Sequence, residues 1–448
     1  MASNKKRTPK LQTSTKIVLG FIGVIIIGAF LLTLPISSNS GQWTSPLTAL
    51  FTATSATCVT GLVLVDTYTH WNFFGQSVIL VMIQIGGLGF MTMATLFSFA
   101  LRRKITFKER MMMSSALNVT EISGVVRLTK HILYGTFFFE GIGALVLATR
   151  FYKEFGLFGA IRRGVFLSIS AFCNAGFDIL GHETQFASLT NYATDFTINI
   201  TIMALIILGG LGFFVWGDIY YRKRLSTHSK IVLISTAILV FSGTFLYLIF
   251  EFNNPATLGQ MSFFDKLLAA TFQSVTTRTA GFNTISQGDL TDPSMILTYV
   301  FMFIGGSPGS TAGGVKTVTI AILLLAAVNT VKGRTTYNFA GRSINVSVVL
   351  NAMSIFTIAV SFVMAGTLVI TALEPIPIEF AIYEVISAFA TVGLSAGVTP
   401  ELSVISQIVL MVLMFFGRVG ILTLGFTLFM GNKQNAKIKY PQGVIMIG

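Results

Sequence analysis

Charged residues are scarce in this chain. They make up 10% of its 448 residues, while 53% of the residues are hydrophobic. A soluble domain carries about 25% charged residues, and no stretch of about fifty residues here has such a composition. The chain therefore predicts a protein that crosses the membrane many times, and any cytosolic regulator is expected on a separate chain.

Cysteine and histidine are also rare. The two cysteines, Cys58 and Cys173, each lie three residues before a glycine in a short polar stretch. A disulfide would require those two stretches to touch, so we expect free buried thiols and no metal or redox site. The four histidines are scattered, and no pattern of catalytic residues accompanies them. The sequence thus predicts a protein that is not an enzyme and has no cofactor of its own.

Acidic residues are outnumbered by basic ones, 17 to 30, which gives a net charge of +13. The basic residues cluster at Lys5–Lys16, Arg102–Lys130, Arg222–Lys230, Lys332–Arg342 and Lys433–Lys439. By the positive-inside rule these clusters and both termini face the cytoplasm of a bacterial plasma membrane. The charge therefore indicates topology and excludes a nucleic-acid partner. Four basic residues lie against this rule on the outer side, namely Arg150, Lys153, Arg162 and Arg163.

Four similar polar stretches, roughly 110 residues apart, each end in a glycine: Gly61, Gly176, Gly281 and Gly393. Apolar runs long enough to cross a bilayer flank each stretch. This pattern predicts an all-α membrane protein of four helix–pore-loop–helix repeats around one pseudo-fourfold ion pore. The predicted divisions are residues 1–110, 111–225, 226–338 and 339–432, followed by a C-terminal tail, 433–448.

Each repeat is expected to contain a first helix, a short re-entrant half-helix and a second helix. The expected bounds are Ile17–Leu34, Ser45–Ala56 and Phe73–Ala100; Leu128–Arg150, Arg162–Phe172 and Phe196–Tyr221; Ile231–Phe250, Ser262–Val275 and Ser294–Val331; and Val346–Ala372, Glu379–Ala390 and Ser403–Met430. The first run is too long for a signal-peptide core and has no small-residue cleavage site, so we expect it to be retained.

The glycine turns have the chemistry of a cation filter. Backbone carbonyls can replace the water around a cation, and glycine allows successive carbonyls to turn toward one axis. The half-helices also direct the negative ends of their dipoles at that axis. The candidate K⁺-binding residues are Val59, Thr60, Gly61, Asn174, Ala175, Gly176, Thr279, Ala280, Gly281, Thr391, Val392 and Gly393.

A second set of glycines follows in each repeat, at Gly86–Gly89, Gly209–Gly212, Gly305–Gly314 and Gly417–Gly420. We expect it to let the second helices cross closely, bend or line a cavity. In the third repeat the set includes a proline, which breaks the helix within the membrane and predicts a gate. The candidate gate residues are Gly305, Gly306, Pro308, Gly309, Gly313, Gly314, Lys316 and the intramembrane Arg418. Arg418 either faces the cavity below the filter and gates with this segment or makes a structural hydrogen bond to the broken backbone, and Lys316 either helps to close the segment or extends toward the membrane surface.

The turns resemble the Thr-Val-Gly-Tyr-Gly filter of potassium channels, most closely at Thr391–Gly393. Over all four repeats the chain resembles the KtrB family, the membrane subunits of bacterial Ktr potassium-uptake systems within the Trk/Ktr/HKT superfamily. The resemblance implies K⁺ as the transported ion, a homodimer in membrane lipid and an intramembrane gating loop. It also implies a cytosolic KtrA-like ring that binds the nucleotide, and a tail, Tyr440–Gly448, at the dimer seam.

Several alternatives stay open. A secondary cation transporter with alternating access is disfavoured because the repeats are parallel and only one helix is expected to be broken. A dependence on Na⁺ is compatible with the resemblance. Arg278 stands either behind its turn, bonding carbonyls or an acid such as Asp265, or on the axis. Asp178 and Asn283 are either attractive groups at the outer mouth or solvated loop residues, and Glu140 is a buried acid without an assigned role.

Overall fold

The computed structural model describes residues 13–89, 92, 110, 111, 113, 124–221, 225–334 and 336–420. The regular secondary structure of these residues is helical apart from one small hairpin, so the all-α prediction is confirmed. The predicted tail, 433–448, the last part of the fourth repeat and most of the junction between the first two repeats lie outside the described residues.

The helices and strands are numbered in chain order. They are α1 (Thr13–Thr33), α2 (Pro46–Cys58), α3 (Thr67–His70), α4 (Phe73–Leu88), α5 (Val125–Cys173), α6 (Phe196–Gly210), α7 (Phe213–Tyr221), α8 (Thr227–Glu251), α9 (Phe263–Thr276), α10 (Asp292–Phe303), α11 (Thr317–Val331), β1 (Tyr337–Phe339), β2 (Arg342–Ile344), α12 (Val346–Leu373), α13 (Ile378–Ala390) and α14 (Val404–Val419).

Within the described ranges, four helices are long and apolar enough to cross a bilayer: α1, α5, α8 and α12. The bent pair α6–α7 makes a fifth span if it is counted as one. The helices α4, α11 and α14 are apolar but shorter. Because the predicted continuations of α4 and α14 lie outside the described residues, the expectation of eight spans stays a prediction.

Helix α5 contains both the first helix and the half-helix predicted for the second repeat. The chain turns at Gly156, where φ is +65° and the helical geometry is interrupted. The half-helix is the last part of α5 and ends at Cys173.

The second helix of the second repeat is broken, contrary to the prediction of a continuous helix over Phe196–Tyr221. Helices α6 and α7 meet at an angle of 93°. Gly212 at the break has φ +92°, and the amide of Phe213 donates a hydrogen bond to the carbonyl of Gly309 at 2.9 Å. The expectation that only one second helix is broken is therefore wrong, and a contact with the third repeat accompanies the second break.

The half-helices lie at the centre of the protein and the long helices surround them. The last turns of α2, α5, α9 and α13 are completely buried, and their apolar side chains belong to the main hydrophobic core, except for part of α9. The long helices expose large apolar side chains such as Phe241 and Phe138. This distribution suits a protein whose periphery contacts lipid.

The basic segment between α11 and α12 contains an unpredicted hairpin. Strand β1 pairs antiparallel with β2, with Tyr337 opposite Ile344. Ala340 and Gly341 at the turn both have positive φ, as a two-residue hairpin turn requires. Phe339 and Ile344 pack against a small second core that α8, α11 and α12 share.

Candidate functional site

Each turn contains a residue of left-handed conformation two residues before its glycine, and in the first, second and fourth turns this residue caps the half-helix. These residues are Val59, Asn174, Thr279 and Thr391, with φ between 53° and 69°. In three of the turns the next amide donates back into the helix at 2.8 Å: Thr60 to Ser55, Ala175 to Ser170 and Val392 to Ser387. The amides are thus used to cap the half-helices, which leaves the carbonyls of the turns for other partners.

The four glycines meet in a closed ring. A Cβ atom built on Gly61 would lie 2.6 Å from the carbonyl oxygen of Ala175, one on Gly176 would lie 2.9 Å from that of Ala280, and one on Gly281 would lie 2.5 Å from that of Val392. A Cβ on Gly393 would collide with the carbonyl of Thr60, which closes the ring. All four glycines have positive φ, so both backbone angle and space require glycine here.

The carbonyl oxygens of the predicted filter residues have no hydrogen-bond donor among the residues that the structure describes. In the parts of the chain that the structure describes, no hydrogen bond ends on any of these twelve carbonyls. All twelve residues are buried except Gly393, which is partly exposed. Buried carbonyls are normally paired, so a ring of unpaired ones is a place where a cation could supply the missing partner. The hydroxyls of Thr60 and Thr391 are likewise buried without a partner among the described residues.

The third turn differs from the other three in its support. Val275 stands where the others have serine, and Ser55 and Ser387 each accept a hydrogen bond from their glycine amide at 3.1 Å. In the third turn the hydroxyl of Thr276 instead donates to the carbonyl of Phe282 at 2.5 Å. A different hydrogen bond thus ties this turn to its half-helix.

Arg278 lies behind the third turn. Its side chain is buried, and its guanidinium donates to the hydroxyl of Thr236 on α8 at 3.4 Å. The suggested partner Asp265 instead accepts a hydrogen bond from Ser262 at 2.6 Å. Of the two alternatives for Arg278, the position behind the turn is the one in the structure, with a hydroxyl in place of the expected acid.

The second set of glycines allows the second helices to touch the half-helices. A Cβ on Gly86, Gly209 or Gly417 would collide with the carbonyl of Thr57, Phe172 or Phe389, respectively. Each of these carbonyls lies four residues before the glycine of its turn. The glycines therefore provide close crossing directly beneath the turns.

The broken segment of the third repeat, residues 304–316, forms a loop beneath the ring. Its two ends are held together, because the amide of Gly305 donates to Val315 at 2.9 Å and that of Thr317 to Gly306 at 3.1 Å. Its middle rests on the break of the second repeat. There a Cβ on Gly212 would lie 2.7 Å from the carbonyl of Pro308.

The far side of this segment touches the fourth turn. A Cβ on Gly313 would collide with the hydroxyl of Thr391, and one on Gly314 would lie 3.1 Å from the Cα of Ala390. Lys316 donates to the carbonyls of Ala312 and Gly313, at 2.6 and 3.2 Å. The lysine therefore bonds its own segment, and the predicted gate residues of the third repeat form one body beneath the ring.

Arg418, at the end of α14, bonds this segment to the first repeat. Its guanidinium donates to the carbonyl of Thr311 in the segment and to those of Gly86 and Gly87 on α4. Thr311 also donates from its hydroxyl to Phe172 at 3.1 Å, and its amide donates to Gly209 at 3.3 Å. The sequence interpretation did not single out Thr311, although a buried hydroxyl among glycines was an available signal.

Asp178 and Asn283 each lie two residues after the glycine of their turn. Asp178 accepts a hydrogen bond from the amide of Leu180 at 3.0 Å, and burial raises the pKa of its carboxyl to about 6, with the nearby Asp66 adding to the rise. The side chain of Asn283 donates to Ile285 in its own loop at 3.3 Å. Both residues thus stabilise their loops, and Asp178 in addition places an acid close to the ring.

Glu140 lies in a polar contact between α4 and α5. The amide of Gln84 donates to both of its carboxyl oxygens at 3.1 Å. The thiol of Cys173, which precedes the second turn, contacts Gln84 at 3.5 Å. Both cysteines are free and buried, as predicted.

Comparisons with known proteins agree on one family. Residues 3–437 match the family described as TrkH, cation transport protein. The chain is 43% identical to the potassium/sodium uptake protein NtpJ of Enterococcus hirae, over 100% of both chains. It is 40% identical to the Ktr system potassium uptake protein B of Bacillus subtilis, over 96% of both. The crystal structure of the potassium transporter TrkH from Vibrio parahaemolyticus superposes with a TM-score of 0.73 at 19% identity, covering 95% of this chain and 87% of that one, so the fold is shared.

Proposed function

Because the chain belongs to the TrkH family of cation transport proteins, we propose that it takes up K⁺ across the bacterial plasma membrane through the ring of glycine turns. The observation that carries this proposal is the set of buried, unpaired carbonyls at the four turns. Carbonyl oxygens suit an alkali cation, and the four half-helices direct negative dipole ends toward it. The names of the relatives, potassium uptake and potassium/sodium uptake, support K⁺ as the cargo and make Na⁺ dependence a matter for test.

The segment 304–316 is the proposed gate, and Arg418 is the residue that holds it closed. The segment lies beneath the ring and contacts the second and fourth repeats. Arg418 joins it to α4 through three main-chain carbonyls. An arginine within the membrane requires such partners or water, and its positive charge also opposes a cation that passes close by.

The partners we propose are those that the resemblance to the KtrB family implies. They are a second copy of the chain, surrounding membrane lipid and a separate KtrA-like ring that binds the regulatory nucleotide. The alternative function is a secondary transporter with alternating access, which the two broken second helices make worth testing.

Uptake of ⁸⁶Rb⁺ into proteoliposomes tests the function. We expect Rb⁺ to equilibrate down its own gradient without a proton or Na⁺ gradient, and K⁺ to compete while Na⁺ competes poorly. Addition of Na⁺ on one side measures its contribution. Absence of Rb⁺ flux would contradict the proposal, and accumulation of Rb⁺ against its gradient, driven by a Na⁺ gradient, would favour the alternating-access alternative.

The variant Arg418→Gln tests the gate. It keeps a long polar side chain but removes the charge and most of the donors, so we expect Rb⁺ flux to rise about tenfold, as a loss of about 1.4 kcal/mol from the closed state would produce. The control is Arg342→Gln, which removes an exposed arginine on β2. Flux and regulation like those of the unmodified protein would remove Arg418 from the gate.

A further inference from the structure

Half-helix α13 contains a carboxylate in its otherwise mostly apolar last three turns. Glu384 is completely buried, between Tyr383 and Val385. A buried acid is costly unless hydrogen bonds compensate it, and an ionisable side chain at membrane depth is rare. Its partners therefore indicate what it does.

Among the described residues, the hydrogen bonds to the side chain of Glu384 come from the segment that leaves the fourth turn. Its Oε1 accepts from the hydroxyl of Ser395 at 2.6 Å and from the amide of Ala396 at 3.0 Å. Its Oε2 accepts from the hydroxyl of Thr399 at 2.5 Å. Three donors directed at two oxygens suit an ionised carboxylate, because this group can only accept hydrogen bonds. Hydrogen bonds to a charged group are also stronger than those between neutral groups.

This exit segment begins two residues after Gly393 and controls where that glycine can lie. The amide of Gly393 is itself held by Ser387 of α13, so both sides of the glycine are tied to one half-helix. Gly393 touches the Thr60 carbonyl, and Val392 touches Gly281, so the fourth turn makes two of the four contacts of the ring. A shift of the exit segment would change both contacts.

The other turns lack this arrangement. Nine residues before Gly61, Gly176 and Gly281, where Glu384 stands before Gly393, the chain has Thr52, Leu167 and Phe272. None of these side chains can accept three hydrogen bonds as a carboxylate does. Of the four turns, the fourth therefore has an acid at this position, and this acid holds its exit segment.

We propose that Glu384 is a positioning residue that sets the cation selectivity of the ring by holding the exit segment, Ser395–Thr399, against α13. This inference rests on the proposed function. Glu384 does not touch the ion path; it acts through the position of Val392 and Gly393. A purely structural residue would change the amount or stability of folded protein, whereas a positioning residue changes which cation passes.

The test compares Glu384→Gln with Glu379→Gln in proteoliposomes. Glutamine leaves one acceptor oxygen and places an amide opposite the donors. We expect the ratio of Rb⁺ to Na⁺ flux to fall about tenfold and the KM for K⁺ to rise. Glu379 lies in the first turn of the same half-helix and is exposed, so its substitution changes the same charge and should leave the ratio unaltered.

Two milder variants cover the case in which Glu384→Gln fails to fold. Ser395→Ala and Thr399→Val each remove one donor, and each should lower the flux ratio in the same direction, while Thr399→Ser should restore it. An unaltered ratio per folded molecule in these variants would overturn the inference. If the unmodified protein carries no Rb⁺, the proposed function itself fails, which is a separate result.

Discussion

Two independent features require glycine at the four turns, the backbone angle and the lack of space. Gly281 has φ +81°, and a Cβ there would lie 2.5 Å from the carbonyl of Val392 and 2.9 Å from the Cα of Gly176. A substitution that is strained in both respects cannot be absorbed by one side-chain rotation, because the atoms in contact are backbone. The carbonyls of the neighbouring turns must move.

We therefore expect Gly281→Ser to reduce K⁺ uptake by at least about tenfold, since a left-handed residue with a Cβ costs roughly 1–2 kcal/mol before any collision is counted. Uptake at limiting K⁺, in cells that lack their own K⁺ uptake systems, measures the effect. Gly141→Ser is the matched control, because Gly141 is exposed on α5 with no atom within 4 Å of the added Cβ. Equal uptake by both variants would exclude Gly281 from the path.

At the scale of single residues, the sequence predicted which residues lie at the ring better than it predicted their hydrogen-bond partners. The repeated glycines were enough to choose the residues that meet at the ring, because a conformational requirement leaves a mark in the sequence. The bond from Arg418 to Thr311 joins residues 107 positions apart, and nothing local encodes it. For the same reason the partner of Arg278 is Thr236 and not the suggested Asp265.

Among the elements, the length of the apolar runs predicted the ends of the long helices to within a few residues, but it did not predict the bends. The break between α6 and α7 coincides with the hydrogen bond from Phe213 to Gly309, and hydropathy contains no information about such a contact. The hairpin β1–β2 was not predicted, because the sequence analysis used this segment only as a cluster of basic residues. Its local signal was the pair Ala340-Gly341 between short runs with aromatic and β-branched residues.

The crossing of α14 beneath α13 depends on Gly417. We expect Gly417→Ala to destabilise the detergent-solubilised protein by roughly 1–3 kcal/mol, the cost of overpacking a tight contact, because the added methyl group would collide with the carbonyl of Phe389. A thermal unfolding assay on purified protein measures the shift.

The control for that variant is Gly217→Ala on α7, where an added Cβ has no atom within 4 Å. This change should leave the melting temperature unaltered or raise it, since alanine favours a helix over glycine by about 1 kcal/mol. If both variants melt alike, close crossing at Gly417 is not what fixes α14.

For the whole molecule, the distribution of charge predicts an orientation. The hairpin and its basic neighbours, Lys332 and Arg334, belong on the cytoplasmic side, and the loops that follow the turns belong outside. The ring would then receive ions from the outer, acidic side and the segment 304–316 would stand between the ring and the cytoplasm. This order is the one an uptake system with an inner gate requires.

Thiol labelling in intact cells tests the orientation, and the chain suits the experiment. Its two cysteines are completely buried, so the unmodified protein should react little with a charged, membrane-impermeant maleimide and serves as the control. Glu401→Cys and Ser343→Cys each place a thiol at an exposed position, one in the loop after the fourth turn and one on β2. We expect the first to react in intact cells and the second only after lysis. The reverse pattern would show that the protein has the opposite orientation in the membrane. The segment 304–316 would then lie on the outer side of the ring, where it could not act as an inner gate.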